Sequence, residues 1–280
     1  MRYEPPHIDE IVDSRALLLQ PRFATLWLTQ GLAQTAQNAI LFTLLVVVLQ
    51  LTGSSAASSV LVLAFILPSI FMGVFVGVLL DRWRKGTILV ATNLIRAGAC
   101  ILYLFFHEDL LIIYAISLAF STSGLFFNPA VVSLVPALVP RERLVNANSL
   151  YNFTLTGSQL AGMVFLAPAI LKLWDERVMF VAAAVLFTLA GGLAVWLSNL
   201  QNGRDIELPK GPLFGGIPEE FRKSWRALTS DVASALALGQ LTMSSTLVLL
   251  FAIFIPRYMQ DVLNVSADSA AFIFAPTGVG

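Results

Sequence analysis

In the first long apolar segment, Gln30, Gln34, Gln37 and Asn38 fall at i, i+4, i+7 and i+8, so a helix there carries four carboxamides on one face. Carboxamides both donate and accept hydrogen bonds and do not titrate. They suit the holding of a neutral or mixed-character solute, not proton transfer or nucleophilic attack. Ser117, Ser121, Gly124 and Asn128 share a face of a later apolar segment. Asn148, Asn152 and Gln159 share another, with Thr156 alongside, and Gln240 and Ser244 repeat the spacing further on. Polar side chains in apolar helices are costly unless they face a cavity or a neighbouring helix. For the serines and threonines the preferred reading is hydrogen bonding between packed helices. For the glutamine stripe it is a polar cavity, because large amides fit poorly into tight helix contacts.

Arg96 is the one charge well inside an apolar segment. At that depth it needs a carboxylate, several carbonyls or an anionic ligand. An interhelical hydrogen-bond hub is the preferred reading, and substrate contact or gating is the alternative. The acids Asp81, Glu108, Asp109, Asp175, Glu176, Asp231, Asp261 and Asp268 all sit at or near segment ends, and His7 and His107 lie outside the segments. A buried carboxylate or histidine, the usual carrier of a proton across a membrane, is therefore missing from these segments. Neither a nucleotide-binding loop, a zinc motif nor a nucleophile elbow occurs. Nothing here supports an enzyme or calls for a cofactor or metal.

The elements that must position these groups follow from composition. The 280 residues are 57% hydrophobic and 12% charged, with zero net charge and a mean hydropathy of +0.80. Soluble domains carry about a quarter charged residues, so the chain reads as an all-α integral membrane protein. Its charge balance offers nothing to nucleic acid. The single cysteine, Cys100, excludes an internal disulfide and reads as a small buried apolar residue.

Apolar segments long enough to span a bilayer are predicted at about 23–49, 57–80, 86–106, 110–138, 144–173 and 178–200. A seventh is expected at 232–258. An eighth starts near Ser266 and reaches Gly280 in mid-span, where free carbonyls would be costly, so the chain is expected to be a fragment. Residues 1–22 form a polar segment, either a short surface helix over Ile8–Leu19 or a tail. Residues 201–230 form a linker in which Phe221, Trp225 and Leu228 share a helix face. Residues 231–280 hold one and a half further helices. Lys and Arg number three in the N-terminal segment, three in 81–86, two in 139–143 and five in 201–230, against three on the opposite side. That bias places the N-terminus in the cytoplasm. Gly73 and Gly77 form a GxxxG packing pair, and Pro68, Pro129, Pro136 and Pro168 are expected to bend their helices. Ser58 to Pro68 and Ser266 to Pro276 share a Ser/Pro spacing of ten, a faint sign of duplicated halves.

The hairpin Gly77-x-x-x-Asp81-Arg82-x-x-Lys85 resembles the loop signature of the major facilitator superfamily, with Arg84 where that signature has glycine. Leu51-Thr52-Gly53-Ser54-Ser55-Ala56, Asn128-Pro129-Ala130, Leu134 to Pro140 and Arg141 to Leu150 resemble the exporter branch that includes enterobactin exporters and macrolide efflux proteins. Branch members often carry an acid in the first helix, where this chain has Gln37 and Asn38. The antiporter glycine–proline motif of the fifth helix is replaced by Gly157-Ser158-Gln159-Leu160-Ala161-Gly162.

The resemblance implies two six-helix halves that rock about a central site, of which this chain holds the N-terminal half and the start of the second. It implies that helices one, four and seven line the cavity, and that Gly77, Asp81, Arg82 and Lys85 gate it from the cytosol. The expected function is secondary active export of amphipathic organic compounds, drug-like or siderophore-like, by a monomer in the bacterial inner membrane. Protons are the candidate coupling ion. The alternatives are a lysophospholipid flippase of the same fold and a non-transporting sensor or scaffold.

Overall fold

A computed structural model of the protein describes residues 17–201 and, beyond them, helical residues 236–237, 239–240, 242–244 and 246–247. The side chains of Val74, Phe75, Val78, Leu79, Asp81, Arg82, Leu200 and Gln201 are outside that description. So are the N-terminal segment up to residue 16, the linker with the helix expected around Phe221, Trp225 and Leu228, and the expected eighth segment. The chain divides into two compact units, residues 1–213 and 214–280.

In the first unit every described element is helical. The helices are α1 (Pro21–Thr52), α2 (Ser55–Arg82), α3 (Lys85–Phe106), α4 (Leu110–Leu138), α5 (Leu144–Gln159), α6 (Ala167–Leu173) and α7 (Glu176–Gln201). A π-helical stretch, Leu160–Leu166, joins α5 to α6, so one span runs from Arg141 to Leu173. With it, six helices among the described residues are long and apolar enough to cross a membrane. They coincide with the six predicted segments to within a few residues at each end.

The boundaries have local causes. Helix α1 stops because Gly53 takes a left-handed conformation (φ 61°) and returns its N–H to the Leu49 carbonyl at 2.8 Å. Asp109 caps α4, its Oδ1 accepting from the N–H of Leu111 (3.0 Å) and Ile112 (3.2 Å). Asp175 Oδ1 accepts from Val178 N–H at 2.9 Å at the start of α7. The π-helical stretch immediately precedes Pro168, whose ring would otherwise clash with the Val164 carbonyl. Lys85 Nζ donates to the Leu80 carbonyl, placing a cation against the carbonyl end of α2.

Helix α3 packs most extensively on α7. Next come the α1–α7, α3–α4 and α2–α4 contacts, while α1 also rests on α5 and the π-helical stretch. Two close approaches depend on glycine. A Cβ on Gly86 would lie 2.8 Å from Ser198 Cβ, so this residue seats the start of α3 on the end of α7. A Cβ on Gly162 would overlap the Thr35 carbonyl oxygen and lie 3.0 Å from the Ala39 nitrogen. A ladder of rings fills the core: Tyr103 stacks on Phe180 at 5.6 Å, Phe120 meets Phe187 edge-on at 5.6 Å, and Phe65 tilts onto Phe120 at 5.8 Å. Cys100 is free and buried. Phe71, Phe105, Leu111, Phe153 and Phe165 are largely exposed, as side chains on bilayer-length helices must be where they meet lipid.

Candidate functional site

The glutamine stripe of α1 divides among three partners. Gln30 Nε2 donates to the Tyr151 carbonyl of α5 at 3.3 Å. Gln34 Nε2 donates to Asn128 Oδ1 of α4 at 2.6 Å. Gln37 Oε1 is buried with no hydrogen-bond partner, and Asn38 turns back to the Gln34 carbonyl at 2.8 Å. One face of α1 therefore forms an amide seam with α4 and α5, closed by hydrogen bonds at one end and left open at Gln37.

The polar face of α4 divides in the same way. Ser117 is fully buried against α3, its hydroxyl 2.9 Å from Tyr103 Oη. Ser121 donates to the Ala64 carbonyl of α2 at 3.1 Å, and Tyr114, seven residues earlier, donates to the Ala57 carbonyl at 2.9 Å. The two bonds are one heptad apart on both helices, as two parallel neighbours require. Asn128 faces Gln34, and Gly124 lies between Gln37 and Arg96. On the fifth span Asn148, Asn152, Thr156 and Gln159 are exposed. Gln240 and Ser244 are helical and exposed in the second unit. Gly77 is exposed on α2, and the side chains of Asp81 and Arg82 lie outside the description.

Arg96 is wholly buried. Its Nε donates to Ser123 Oγ at 3.3 Å, while Nη1 and Nη2 have no partner. The guanidinium carbon stands 4.8 Å from the centroid of Phe127, 5.6 Å from Phe187 and 5.9 Å from Phe120. Taking an unpaired ion out of water costs on the order of several kcal/mol. Desolvated cation–π contacts return about 2 kcal/mol each, but ring faces do not satisfy the terminal N–H groups. Among the described residues no carboxylate pairs with it. A Cβ on Gly124 would lie 3.1 Å from Arg96 Nη2 and 3.8 Å from Gln37 Oε1. The absence of a side chain there brings an orphaned donor and an orphaned acceptor to one place.

Beside the seam, a cavity of about 290 Å³ lies between α1 and the fifth span, lined mainly by Trp27, Gly31, Thr35, Phe153, Thr154 and Ser158. Ser158 Oγ donates to the Gly31 carbonyl at 3.2 Å across its floor, and Trp27 Nε1 is buried there without a partner. The arrangement can hold an apolar body beside amide groups. Among the described residues no three His, Cys, Asp or Glu side chains converge as a metal site would need.

A chain of this helical architecture is matched over residues 26–280 by the family model described as Major Facilitator Superfamily. The chain belongs to the major facilitator superfamily. With six bilayer-length helices among the described residues, this member of the superfamily is a multi-pass membrane protein. It is 28% identical over 127 residues to macrolide efflux protein A of Streptococcus pyogenes, and equally to that of its serotype M6. Each match covers 44% of this chain and 31% of the relative. No solved structure matches significantly.

The residues that sequence reasoning passed over are those that complete the Arg96 surroundings: Ser123, Phe120, Phe127 and Phe187. Phe120 and Phe127 lie at i and i+7 about Gly124 on α4, a spacing that marks a shared face. Nothing in the spacing says that the face meets an arginine from another helix.

Proposed function

We propose that this member of the superfamily is a secondary active transporter that exports amphipathic organic compounds by alternating access, without enzymatic chemistry. The observation that carries the reading is the amide seam between α1, α4 and α5 beside a largely apolar cavity. An amphipathic solute needs both polar and apolar surface: the cavity sets the hydroxyls of Thr35, Thr154 and Ser158 among apolar side chains, and the seam keeps one amide oxygen, that of Gln37, unpaired. The macrolide efflux relatives support the export direction. The excess of Lys and Arg on one side supports a bacterial plasma membrane orientation with the N-terminus in the cytoplasm. Asp81, Arg82 and Lys85 are assigned to the cytosolic gate by their resemblance to the loop signature, and protons are the coupling ion in this reading. The protein is expected to act as a monomer.

The test is flux. The purified protein in proteoliposomes should move macrolide-like and other amphipathic probes against their gradient when a proton gradient is imposed. Failure of every amphipathic probe, with the protein correctly inserted, would overturn the proposal.

A further inference from the structure

We propose that Arg96 and Gln37, separated by Gly124, form an anion-receiving subsite of the transport cavity that takes the carboxylate or phosphate group of an acidic amphiphile. The inference rests on the transport reading above and narrows its substrate class. Four observations converge on it. The guanidinium is fully buried, yet both terminal nitrogens lack partners. Its Nε is anchored by Ser123, and the three phenyl rings hold the plane, so Nη1 and Nη2 form a fixed fork. Two parallel N–H donors of that kind match the two oxygens of a carboxylate or phosphate. Gln37 Oε1, the other orphan, borders the same point over Gly124.

Turning the Gln37 amide by half a revolution replaces its oxygen with Nε2, which adds a third donor to an anion held by the fork. Gln37 and Gly124 are both half-buried, whereas Arg96 is wholly buried, so any route from outside to the guanidinium is shortest past these two residues. The aromatic rings that hold the cation also present an apolar surface to the carbon skeleton next to the anionic group. A neutral acceptor gains less from the fork than an anion does, because only the anion adds charge to the hydrogen bonds, so the subsite discriminates by charge.

The experiment measures binding to the purified protein in neutral detergent, using the fluorescence of 1-pyrenebutyrate and of its neutral amide. The wild-type protein should bind the acid at least about tenfold tighter than the amide, as a charge-assisted hydrogen-bond pair implies. Arg96→Gln should remove that preference by weakening the acid alone, and Arg96→Lys should keep part of it. Gly124→Leu should remove it with Arg96 intact, which guards against misfolding of the arginine variants. Decanoate and decyl phosphate as competitors distinguish a carboxylate from a phosphate as the bound group. Equal affinity for acid and amide, failure of both to bind, or a preference that survives Arg96→Gln overturns the subsite. Flux of neutral amphiphiles in proteoliposomes would then still stand or fall by itself, so the two readings fail separately.

Discussion

The Ser121 hydroxyl of α4 stands 3.1 Å from the Ala64 carbonyl oxygen of α2. That oxygen lies four residues before Pro68, which has no N–H to offer it. A neighbouring helix thus supplies the hydrogen bond that a proline within a membrane span removes. The same serine lies on the face of α4 that also carries Asn128, yet its hydroxyl is engaged with backbone. Its role is read from that bond.

Ser121→Ala should therefore cost about 1 kcal/mol of stability. In a Pro68→Ala background, where the helix regains its own N–H, the same change should cost almost nothing. Unfolding in mixed micelles as a double-mutant cycle measures this, and an equal cost in both backgrounds would refute the pairing.

Gly162→Val should destabilise the bundle by about 3 kcal/mol or more, because the new side chain meets the backbone of α1 at Thr35 and Ala39, not a movable side-chain tip. Gly157→Ala, one and a half turns earlier, meets nothing within 4 Å and should be neutral to about 0.5 kcal/mol. The pair is compared by thermal aggregation in one detergent. Similar behaviour of the two variants would contradict the close approach.

Gln34→Leu leaves Asn128 without its 2.6 Å partner and should cost about 1–2 kcal/mol. Changing both residues to leucine should restore much of that stability, since no orphan remains. If the seam binds substrate, the stable double variant should still lose flux. Restored stability together with normal flux would assign the pair to packing alone.

If Asp81 belongs to the proposed cytosolic gate, Asp81→Asn should slow flux about tenfold, the worth of one charge-assisted hydrogen bond, while leaving membrane abundance unchanged. Transport at the wild-type rate would remove Asp81 from the gating assignment.

The six spans were legible because hydropathy is a local sum: a run of some twenty apolar residues has its membrane-spanning character whatever its neighbours do. The caps at the span ends, Gly53 and Asp109, act on backbone groups within four residues of themselves and became plain only in the structure. The glutamine stripe was legible as a face, since 3.6-residue periodicity belongs to a single helix. Which of its members would be satisfied was not. Gln30, Gln34 and Gln37 have the same chemistry and nearly the same spacing, but one meets a carbonyl, one an amide, and one leaves its Oε1 unpaired.

The sequence by itself determined an all-helical membrane protein, the order of its spans, the polar faces of α1 and α4, and one arginine too deep to be solvated. Only the tertiary structure decided that this arginine is caged by Phe120, Phe127 and Phe187 with its terminal nitrogens unmet, and that Gly124 sets it beside Gln37. The reason is physical: each of those relations depends on the rotation and axial offset of one helix against another. These are set by the packing of whole surfaces, where a shift of one residue replaces every partner at once.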